Sequence, residues 1–234
     1  MKAFKFKHFQ LFQDQCAMKI GTDGCLLGAW AKPDQAVKAL DIGTGTGLVA
    51  CMLAQRFPNL QLDALELDSL AAAQATANVE GSPFQKRINV HEVNFLTWKK
   101  EGYDYIVCNP PFFEEASSSA NEGPRIQARQ EKELSIGNLL SKAFECSTSD
   151  ARMAIVWPAR REAEALEAAT KSGWCLIRTC ALFPTPTKAV HRVLLEFSKQ
   201  AETVVTDKLV IEEFGRHQYS EAYKSLLKDF YLKF

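Results

Sequence analysis

A short glycine-rich segment, with the sequence Asp-Ile-Gly-Thr-Gly-Thr-Gly at residues 41 to 47, separates two segments of different periodicity. The apolar run before it, residues 36 to 40, predicts a strand, and residues 48 to 56 predict a helix. Glycine lacks a Cβ atom, so the backbone of such a loop turns tightly and approaches a ligand closely. A strand, a glycine loop and a helix in this order are typical of cofactor sites in α/β folds, and a simple packing turn is the structural alternative.

The alternation of strands and helices continues along the rest of the 234-residue chain. Further strands are predicted at residues 61–67, 89–92, 103–108, 152–156, 175–183 and 190–197, and helices at residues 69–79, 136–146 and 162–171. A helix is also predicted from residue 22 or 23 to the proline at position 33, and the tail adds a strand at 208–212 and a helix at 220–228. Short links between these elements predict an α/β fold: a doubly wound, mostly parallel seven-stranded sheet with helices on both faces. Because no linker separates parts of the chain, residues 1–234 are expected to form one domain.

Two segments are predicted to lie outside this sheet. Residues 1–18 predict a small N-terminal hairpin, because Phe4, Phe6 and Phe9 alternate with polar residues and residues 13–16 form a second short strand candidate. Lysines beside phenylalanines fit an RNA contact with exposed stacking faces, and an edge strand with buried phenylalanines is an equal alternative. Residues 114–130 contain three consecutive serines, a glycine and a proline, and predict a polar loop that is a candidate lid.

The spacing of the glycine loop discriminates between cofactors. The dinucleotide pattern G-x-G-x-x-G needs a third glycine where this chain has Leu48, and no Lys-Ser or Lys-Thr ends the loop as in ATP-binding P-loops. The pattern G-x-G-x-G after Asp41 resembles motif I of class I S-adenosylmethionine-dependent methyltransferases. Glu66 lies near the end of the next predicted strand, where a carboxylate in a doubly wound fold accepts hydrogen bonds from ribose hydroxyls; a solvated acid is the alternative. S-adenosylmethionine is therefore the expected cofactor.

The tetrapeptide Asn109-Pro110-Pro111-Phe112 stands at the carboxyl end of a predicted strand, where ligands bind in open α/β sheets. Two prolines remove two amide donors and leave backbone carbonyls free to face a ligand. The side-chain oxygen of Asn109 and the carbonyl of Pro110 are suited to accept both hydrogen bonds of one planar amino group, while Phe112 stacks on the attached ring. We predict Asn109, Pro110 and Phe112 as the catalytic residues of amine methylation, and a rigid turn with an aromatic plug is the alternative.

This tetrapeptide resembles the N-P-P-[FY] signature of amino-methyltransferases that modify adenine N6, guanine N2 or the glutamine side-chain amide. Further stretches, among them Lys19-Ile-Gly-Thr-Asp-Gly24 and the tail Asp229-Phe-Tyr-Leu-Lys-Phe234, extend a resemblance over nearly the whole chain to the bacterial valine-tRNA adenine-N6 methyltransferases. The resemblance implies a tRNA substrate, with the adenosine next to the anticodon of valine tRNA as the target.

The resemblance also implies a set of cofactor-binding residues. In such enzymes the region of Thr22 and Asp23 lies near the methionine end of the cofactor, and Asn94-Phe95 falls where they have Asp-Phe at the cofactor adenine. Asn94 departs from that acid, while Phe95 keeps the stacking face. The expected cofactor-binding residues are Thr22, Asp23, Asp41, Gly43, Gly45, Gly47, Glu66, Asn94, Phe95 and Asn109.

Three other functions stay open on the sequence. Ribosomal-RNA guanine-N2 methyltransferases and protein-glutamine methyltransferases carry related motifs, and a non-catalytic RNA-binding module of the same fold would have a vestigial pocket. Phe112 followed by Phe113 favours a stacked base, whereas the glutamine enzymes usually have tyrosine there. The intact Asp41, Glu66 and Asn109 speak against a vestigial pocket.

Composition excludes further classes of protein. Seven cysteines without a C-x-x-C pair and four dispersed histidines predict neither a disulfide framework nor a metal site. No run of 18 apolar residues and no signal-peptide pattern is present, so we expect a cytoplasmic protein without membrane contact or obligate protein partner. Because 28 lysines and arginines balance 28 aspartates and glutamates, RNA binding must come from local basic patches.

Overall fold

An eight-stranded sheet carries the fold, and an N-terminal hairpin packs beside it. The computed structural model describes residues 3–110 and 134–233, so the predicted lid at residues 114–130, together with Pro111 and Phe112, lies outside the described residues. The hairpin consists of β1 (Phe4–Lys5) and β2 (Gln10–Leu11). The sheet consists of β3 (Lys38–Ile42), β4 (Gln61–Glu66), β5 (Ile88–Glu92), β6 (Tyr103–Cys108), β7 (Ser147–Pro158), β8 (Cys175–Phe183), β9 (Arg192–Ser198) and β10 (Val205–Val210).

Six helices lie in the described part of the chain, and local sequence signals set several of their bounds. They are α1 (Thr22–Trp30), α2 (Leu48–Arg56), α3 (Ser69–Glu80), α4 (Ile136–Cys146), α5 (Glu162–Lys171) and α6 (Glu221–Leu227). The side chains of Asp68, Ser135 and Ser220 cap α3, α4 and α6 by accepting a backbone N–H three residues later. The predicted bounds of α2, α4 and α5 are confirmed. None of these helices combines the length and the hydrophobicity that crossing a bilayer requires.

The strand order of the sheet is β10-β8-β9-β7-β6-β3-β4-β5. Only β9 runs antiparallel to its two neighbours, and every other pair in the described sheet is parallel. The carboxyl ends of all strands except β9 therefore meet at one edge, which we call the carboxyl edge. The predicted doubly wound, mostly parallel sheet is confirmed with eight strands in place of seven. The additional strand is β10, which pairs with β8; its first four residues are exposed, so no apolar pattern marked it as a member of the sheet.

Helices bury both faces of the sheet. On one face, Leu26 of α1, Met52 of α2 and Leu227 of α6 belong to a single hydrophobic cluster. On the other face, Leu140 of α4 and Ala165 of α5 belong to a second cluster. Burial on both sides explains why the central strands are nearly continuous apolar runs. Because the faces are covered, a ligand of such a fold binds in the loops at the carboxyl edge.

The N-terminal hairpin is present, but its second strand differs from the prediction. Strand β2 covers Gln10–Leu11 in place of residues 13–16, and it pairs Leu11 with Phe4. Phe6 and Phe9 are buried, and their rings stack with centroids 4.6 Å apart. The backbone N–H of Lys7 donates to the carbonyl of Phe230, so the hairpin is joined to the C-terminal tail. Of the two alternatives for this segment, the buried rings of Phe6 and Phe9 favour the edge strand with buried phenylalanines over exposed stacking faces.

Candidate active site

The glycine loop connects β3 to α2 and is hydrogen-bonded to the end of β4. The backbone N–H groups of Gly43 and Thr44 both donate to the carbonyl of Leu65, each at 2.9 Å. Gly43 and Gly45 have φ angles of 70° and 57°, a region that residues with side chains rarely adopt. A Cβ atom added to either glycine would meet no atom within 4 Å. The loop is thus held at the carboxyl edge with an open side that a ligand can approach.

Gly47 and Asp41 have different surroundings from these two glycines. Gly47 has a φ angle of 82°, and a Cβ atom there would lie 3.6 Å from Cγ2 of Val79 on α3. Asp41 is 1% exposed, and its Oδ2 accepts hydrogen bonds from Oγ1 of Thr44 at 2.6 Å and from the N–H of Ala50 at 3.2 Å. Both residues were predicted as cofactor ligands. Their contacts in the described residues fix the shape of the loop and connect it to α2 and α3.

Glu66 connects the glycine loop to the segment that follows β4. Its Oε2 accepts the N–H of Gly45 at 2.9 Å, and its Oε1 accepts those of Leu67 at 2.8 Å and Asp68 at 3.0 Å. An ionised carboxylate has about four acceptor positions, so three backbone donors leave capacity for a hydroxyl group. The side chain is half-buried beside the open face of Gly45. This position agrees with the predicted role of Glu66 at a ribose.

Asn94 and Phe95 lie after β5, at the same edge. The Oδ1 atom of Asn94 accepts the N–H of Leu96 at 2.9 Å and thereby caps a short 3₁₀ helix over Phe95–Thr97. The ring of Phe95 is 4% exposed and packs in the cluster that contains Ile42 and Leu65. The ring of Phe95 is thus buried beneath the carboxyl edge, and its contact with the cofactor adenine stays a prediction.

Asn109 follows β6, and its side-chain oxygen is the most unusual atom of the site. Within the described residues its Oδ1 is buried and has no hydrogen-bond partner. Such an orphaned acceptor costs about 1–3 kcal/mol unless a donor reaches it. Because Cys108 pairs with Ile42 across the sheet, Asn109 stands beside the start of the glycine loop. Pro110, the next residue, is also buried.

The amino end of α1 closes the other side of the site. A Cβ atom on Gly24 would lie 3.5 Å from Nδ2 of Asn109, so the first turn of α1, which contains Thr22 and Asp23, is next to this side chain. Thr22 is exposed. Oδ2 of Asp23 accepts a hydrogen bond from Nε of Arg192 at 3.0 Å, which joins α1 to the start of β9.

Comparison with known proteins shows the family of this chain. Residues 19–166 match the model of the family described as the methyltransferase small domain. A tRNA1(Val) (adenine(37)-N6)-methyltransferase from Escherichia coli O1:K1 / APEC is 42% identical over 233 residues, covering 98% of this chain and 94% of the relative. The chain belongs to this methyltransferase family. The tRNA1(Val) (adenine(37)-N6)-methyltransferase of Salmonella enteritidis PT4 has the same identity and coverage.

Solved structures of other methyltransferases share the fold. A predicted O-methyltransferase from Agrobacterium tumefaciens, protein Atu636, has a TM-score of 0.71 at 17% identity, with 89% of this chain and 96% of that chain covered. A TehB-like SAM-dependent methyltransferase from Corynebacterium glutamicum has a TM-score of 0.51 at 17% identity, with 77% and 89% covered. At these identities the likeness extends to the methyltransferase fold alone.

The residues of this methyltransferase fit its cofactor, S-adenosylmethionine. The open side of Gly43 and Gly45 admits a ligand against the backbone, and Glu66 retains acceptor capacity for ribose hydroxyls. At the same edge, the buried Oδ1 of Asn109 accepts no hydrogen bond from any residue that the structure describes, so it is free to accept one from a ligand. Thr22 and Asp23 are in the first turn of α1, and Asn94 follows β5. Their contacts with a cofactor stay predictions.

A buried polar network that sequence reasoning missed holds the segment after β5 in position. Nε1 of Trp98 donates to the hydroxyl of Tyr103 at 3.0 Å, and that hydroxyl donates to Oδ2 of Asp63 at 2.8 Å. The other oxygen of Asp63 is 2.6 Å from Nε2 of His91. These residues belong to three strands and a loop, so no sequence spacing signals that they meet. A second missed feature is Gly28, where a Cβ atom would lie 2.8 Å from Sδ of Met52; the glycine permits close packing of α1 on α2.

Replacing Asp41 by asparagine should change how stability depends on pH. Burial is the main cause that raises the pKa of Asp41 from 3.8 to about 6, although hydrogen bonds from Thr44 and Ala50 oppose the shift. Because its pKa is higher in the folded state than in the unfolded state, protonation of Asp41 favours the folded protein. This contribution to the free energy of unfolding is complete below about pH 3.8 and is lost as the pH rises through about 6. The stability of the Asp41→Asn variant relative to the native protein should therefore increase by about 2–3 kcal/mol between pH 4 and pH 7.

Urea denaturation of both proteins at several pH values measures this difference. Subtracting the two curves removes the contribution of every other titrating group, because those groups are common to both proteins. A difference that stays constant from pH 4 to pH 7 would contradict a buried, ionisable Asp41.

Proposed function

We propose that this protein transfers a methyl group from S-adenosylmethionine to N6 of an adenine in tRNA, and that the adenosine next to the anticodon of valine tRNA is its target. The Oδ1 atom of Asn109, beside the glycine loop, supports this most directly, because it is a buried acceptor without a partner among the residues that the structure describes. It lies at the point where an amino group would enter. The 42% identity to tRNA1(Val) (adenine(37)-N6)-methyltransferases over nearly the whole chain supports the choice of polymer and base.

Positioning supplies most of the proposed catalysis. The lone pair of an exocyclic amine is delocalised into the ring, so the nitrogen attacks well only when its N–H bonds are held and it is turned toward the methyl group. Asn109 accepts one N–H bond through Oδ1, and the carbonyl of Pro110 is the proposed second acceptor. Such preorganised contacts lower the barrier without a strongly basic side chain.

The reaction needs no dedicated base on the protein. S-adenosylmethionine, when bound, supplies an electrophilic methyl group on a positively charged sulfur. Asn109 and Pro110 would hold the amine while its nitrogen bonds to the methyl carbon, the C–S bond breaks to leave a neutral thioether, and one proton passes from the increasingly acidic nitrogen to water. Glu66 and the loop at Gly43 and Gly45 would hold the cofactor.

Exposed cations near the carboxyl edge support binding of a nucleic acid. Arg160 follows β7, and Lys188 lies in the β8–β9 connection; both side chains are exposed. The N–H of Ala159 donates to the carbonyl of His191 at 3.2 Å, which brings the ends of β7 and this connection together. Phosphate contacts from such residues offset the cost of turning a base out of an anticodon loop and make binding weaker at high salt.

Incubation of the purified protein with labelled S-adenosylmethionine and unmodified valine tRNA tests the proposal. We expect one methyl group per tRNA, recovered as N6-methyladenosine by mass analysis of nucleosides. The matched control is the same tRNA with the target adenosine replaced by guanosine, which should take up no label. Methylation of ribosomal RNA or of a protein glutamine, with tRNA inert under the same conditions, would contradict the proposed substrate and leave the amine chemistry standing.

A further inference from the structure

Phe214 is the most exposed large hydrophobic side chain in the described part of the chain, with 77% of its surface accessible. A single exposed apolar residue is common on proteins and has no functional meaning by itself. Phe214 differs from an ordinary surface residue in the order of its loop, in its place on the sheet and in its neighbours along the carboxyl edge.

The loop that carries Phe214 is closed by its own hydrogen bonds. Glu212 and Tyr219 form an antiparallel bridge at its base, and the N–H of Glu213 donates to the carbonyl of Gln218 at 2.9 Å. His217 adopts a left-handed conformation with a φ angle of 66°, and its N–H donates to Oε1 of Glu212 at 2.8 Å. The ring is thus presented to solvent on an ordered turn, which reduces the conformational entropy lost when it binds a partner.

This loop lies at the same edge of the sheet as the proposed acceptor site. It follows β10, whose carboxyl end points to the carboxyl edge, and the N–H of Ile211 donates to the carbonyl of Phe183 at 2.8 Å. In the strand order, β10 is four positions from β6, the strand that Asn109 follows. With strands about 4.8 Å apart, the loop is roughly 19 Å from Asn109 along this edge. That distance corresponds to about five or six stacked nucleotides at about 3.4 Å each.

The side chains along this path suit RNA. The exposed cations Arg160 and Lys188 lie between the two ends of the path, and Arg216 is exposed two residues after Phe214. Within the loop, Glu212 is turned toward the N–H of His217, while Glu213 is exposed. The loop thus has two carboxylates against one arginine and does not attract phosphates. Attraction there must come from the aromatic ring, and the phosphate contacts must come from the cations nearer the site.

We propose that Phe214 stacks on a base of the bound tRNA at a position away from the methylated adenine. This inference rests on the proposed function and adds a second contact point to it. An aromatic side chain on a preformed loop is a sequence-tolerant platform, because every base offers a flat face for stacking. Phe214 thereby contributes to the affinity for tRNA and has no part in cofactor binding or methyl transfer.

The test compares Phe214→Ala, Phe214→Trp and a matched control, Val205→Ala. Val205 is 52% exposed and lies at the opposite end of β10, away from the carboxyl edge. Phe214→Ala should raise KM for tRNA and Kd for direct tRNA binding by about 5- to 100-fold, the range expected for one lost base stack. Phe214→Trp should restore both values, and Val205→Ala should change neither. The kcat value, the affinity for S-adenosylmethionine and the thermal unfolding temperature should stay at native values in all three.

The outcomes separate this inference from the proposed function. A Phe214→Ala variant with native KM and Kd for tRNA overturns the stacking role, while methylation by the native protein continues to support the function. An equal loss of affinity in Val205→Ala also overturns it, since the effect would then not belong to the ring of Phe214. If the native protein does not methylate tRNA, the proposed function is wrong. The stacking role of Phe214 is tested separately by direct binding, since a native Kd for tRNA in Phe214→Ala would contradict it whether or not the protein is catalytically active.

Discussion

Replacing Gly45 by valine should abolish detectable binding of S-adenosylmethionine. The φ angle of Gly45 is 57°, and the space next to its Cα is open toward the proposed cofactor site. A branched side chain would occupy that space and would be strained in this backbone region. It would also disturb the hydrogen bond from the N–H of Gly45 to Glu66. We expect a loss of at least about 100-fold in affinity, equivalent to about 2.7 kcal/mol, measured by titration calorimetry.

Gly102 offers a matched control for this substitution. Its φ angle is 81°, and a Cβ atom there would also meet no atom within 4 Å. It precedes β6 and therefore lies at the edge of the sheet opposite the site. Gly102→Val should bring a similar backbone strain and a similar loss of stability while leaving cofactor affinity unchanged. If Gly45→Val, verified as folded by circular dichroism, binds the cofactor as well as Gly102→Val does, the cofactor role of the glycine loop is wrong.

Much of the fold could be predicted because local signals and periodicity agree along the chain. The bounds of α2, α4 and α5 follow from the glycine loop before α2, the Ser135 cap of α4 and the apolar period of each helix. The parallel sheet follows from strands that alternate with helices over short links. The pairing of β10 with β8 could not be predicted, since an exposed edge strand is held by backbone hydrogen bonds that leave little trace in the sequence.

The convergence of the site residues was predictable from topology, but the directions of their side chains were not. Gly43, Glu66 and Asn109 each follow or end a parallel strand, so their proximity at one edge follows from the fold. Whether a side chain faces the ligand or the core depends on strand register and packing. Phe95 turns inward for this reason, and Asp23 finds its partner Arg192 at a sequence distance of 169 residues.

Replacing Asn109 by alanine should greatly reduce the activity of the protein without reducing its stability. Among residues 3–110 and 134–233 the buried Oδ1 of Asn109 has no hydrogen-bond partner to lose, so the free energy of unfolding of Asn109→Ala should match or slightly exceed that of the native protein. The kcat value for tRNA should fall about 100- to 1,000-fold, as for other single groups that hold a reacting centre. Calorimetry should find the affinity for S-adenosylmethionine within about threefold of the native value, a change of less than about 0.7 kcal/mol.

Asn78 provides the opposite behaviour for comparison. It is 2% exposed, its Oδ1 accepts the N–H of Phe12 at 2.8 Å, and its Nδ2 donates to the carbonyls of Phe12 at 2.8 Å and Thr46 at 2.9 Å. Asn78→Ala leaves these backbone groups without their partner and should lower the free energy of unfolding by roughly 2–4 kcal/mol. Denaturation curves of the two variants therefore distinguish an asparagine that stabilises the fold from one whose side chain binds a ligand. Two results together would contradict the amine-binding role of Asn109 and make it a structural residue. The first is a kcat value for Asn109→Ala within about tenfold of native, which corresponds to about 1.4 kcal/mol of barrier. The second is a loss of stability like that of Asn78→Ala.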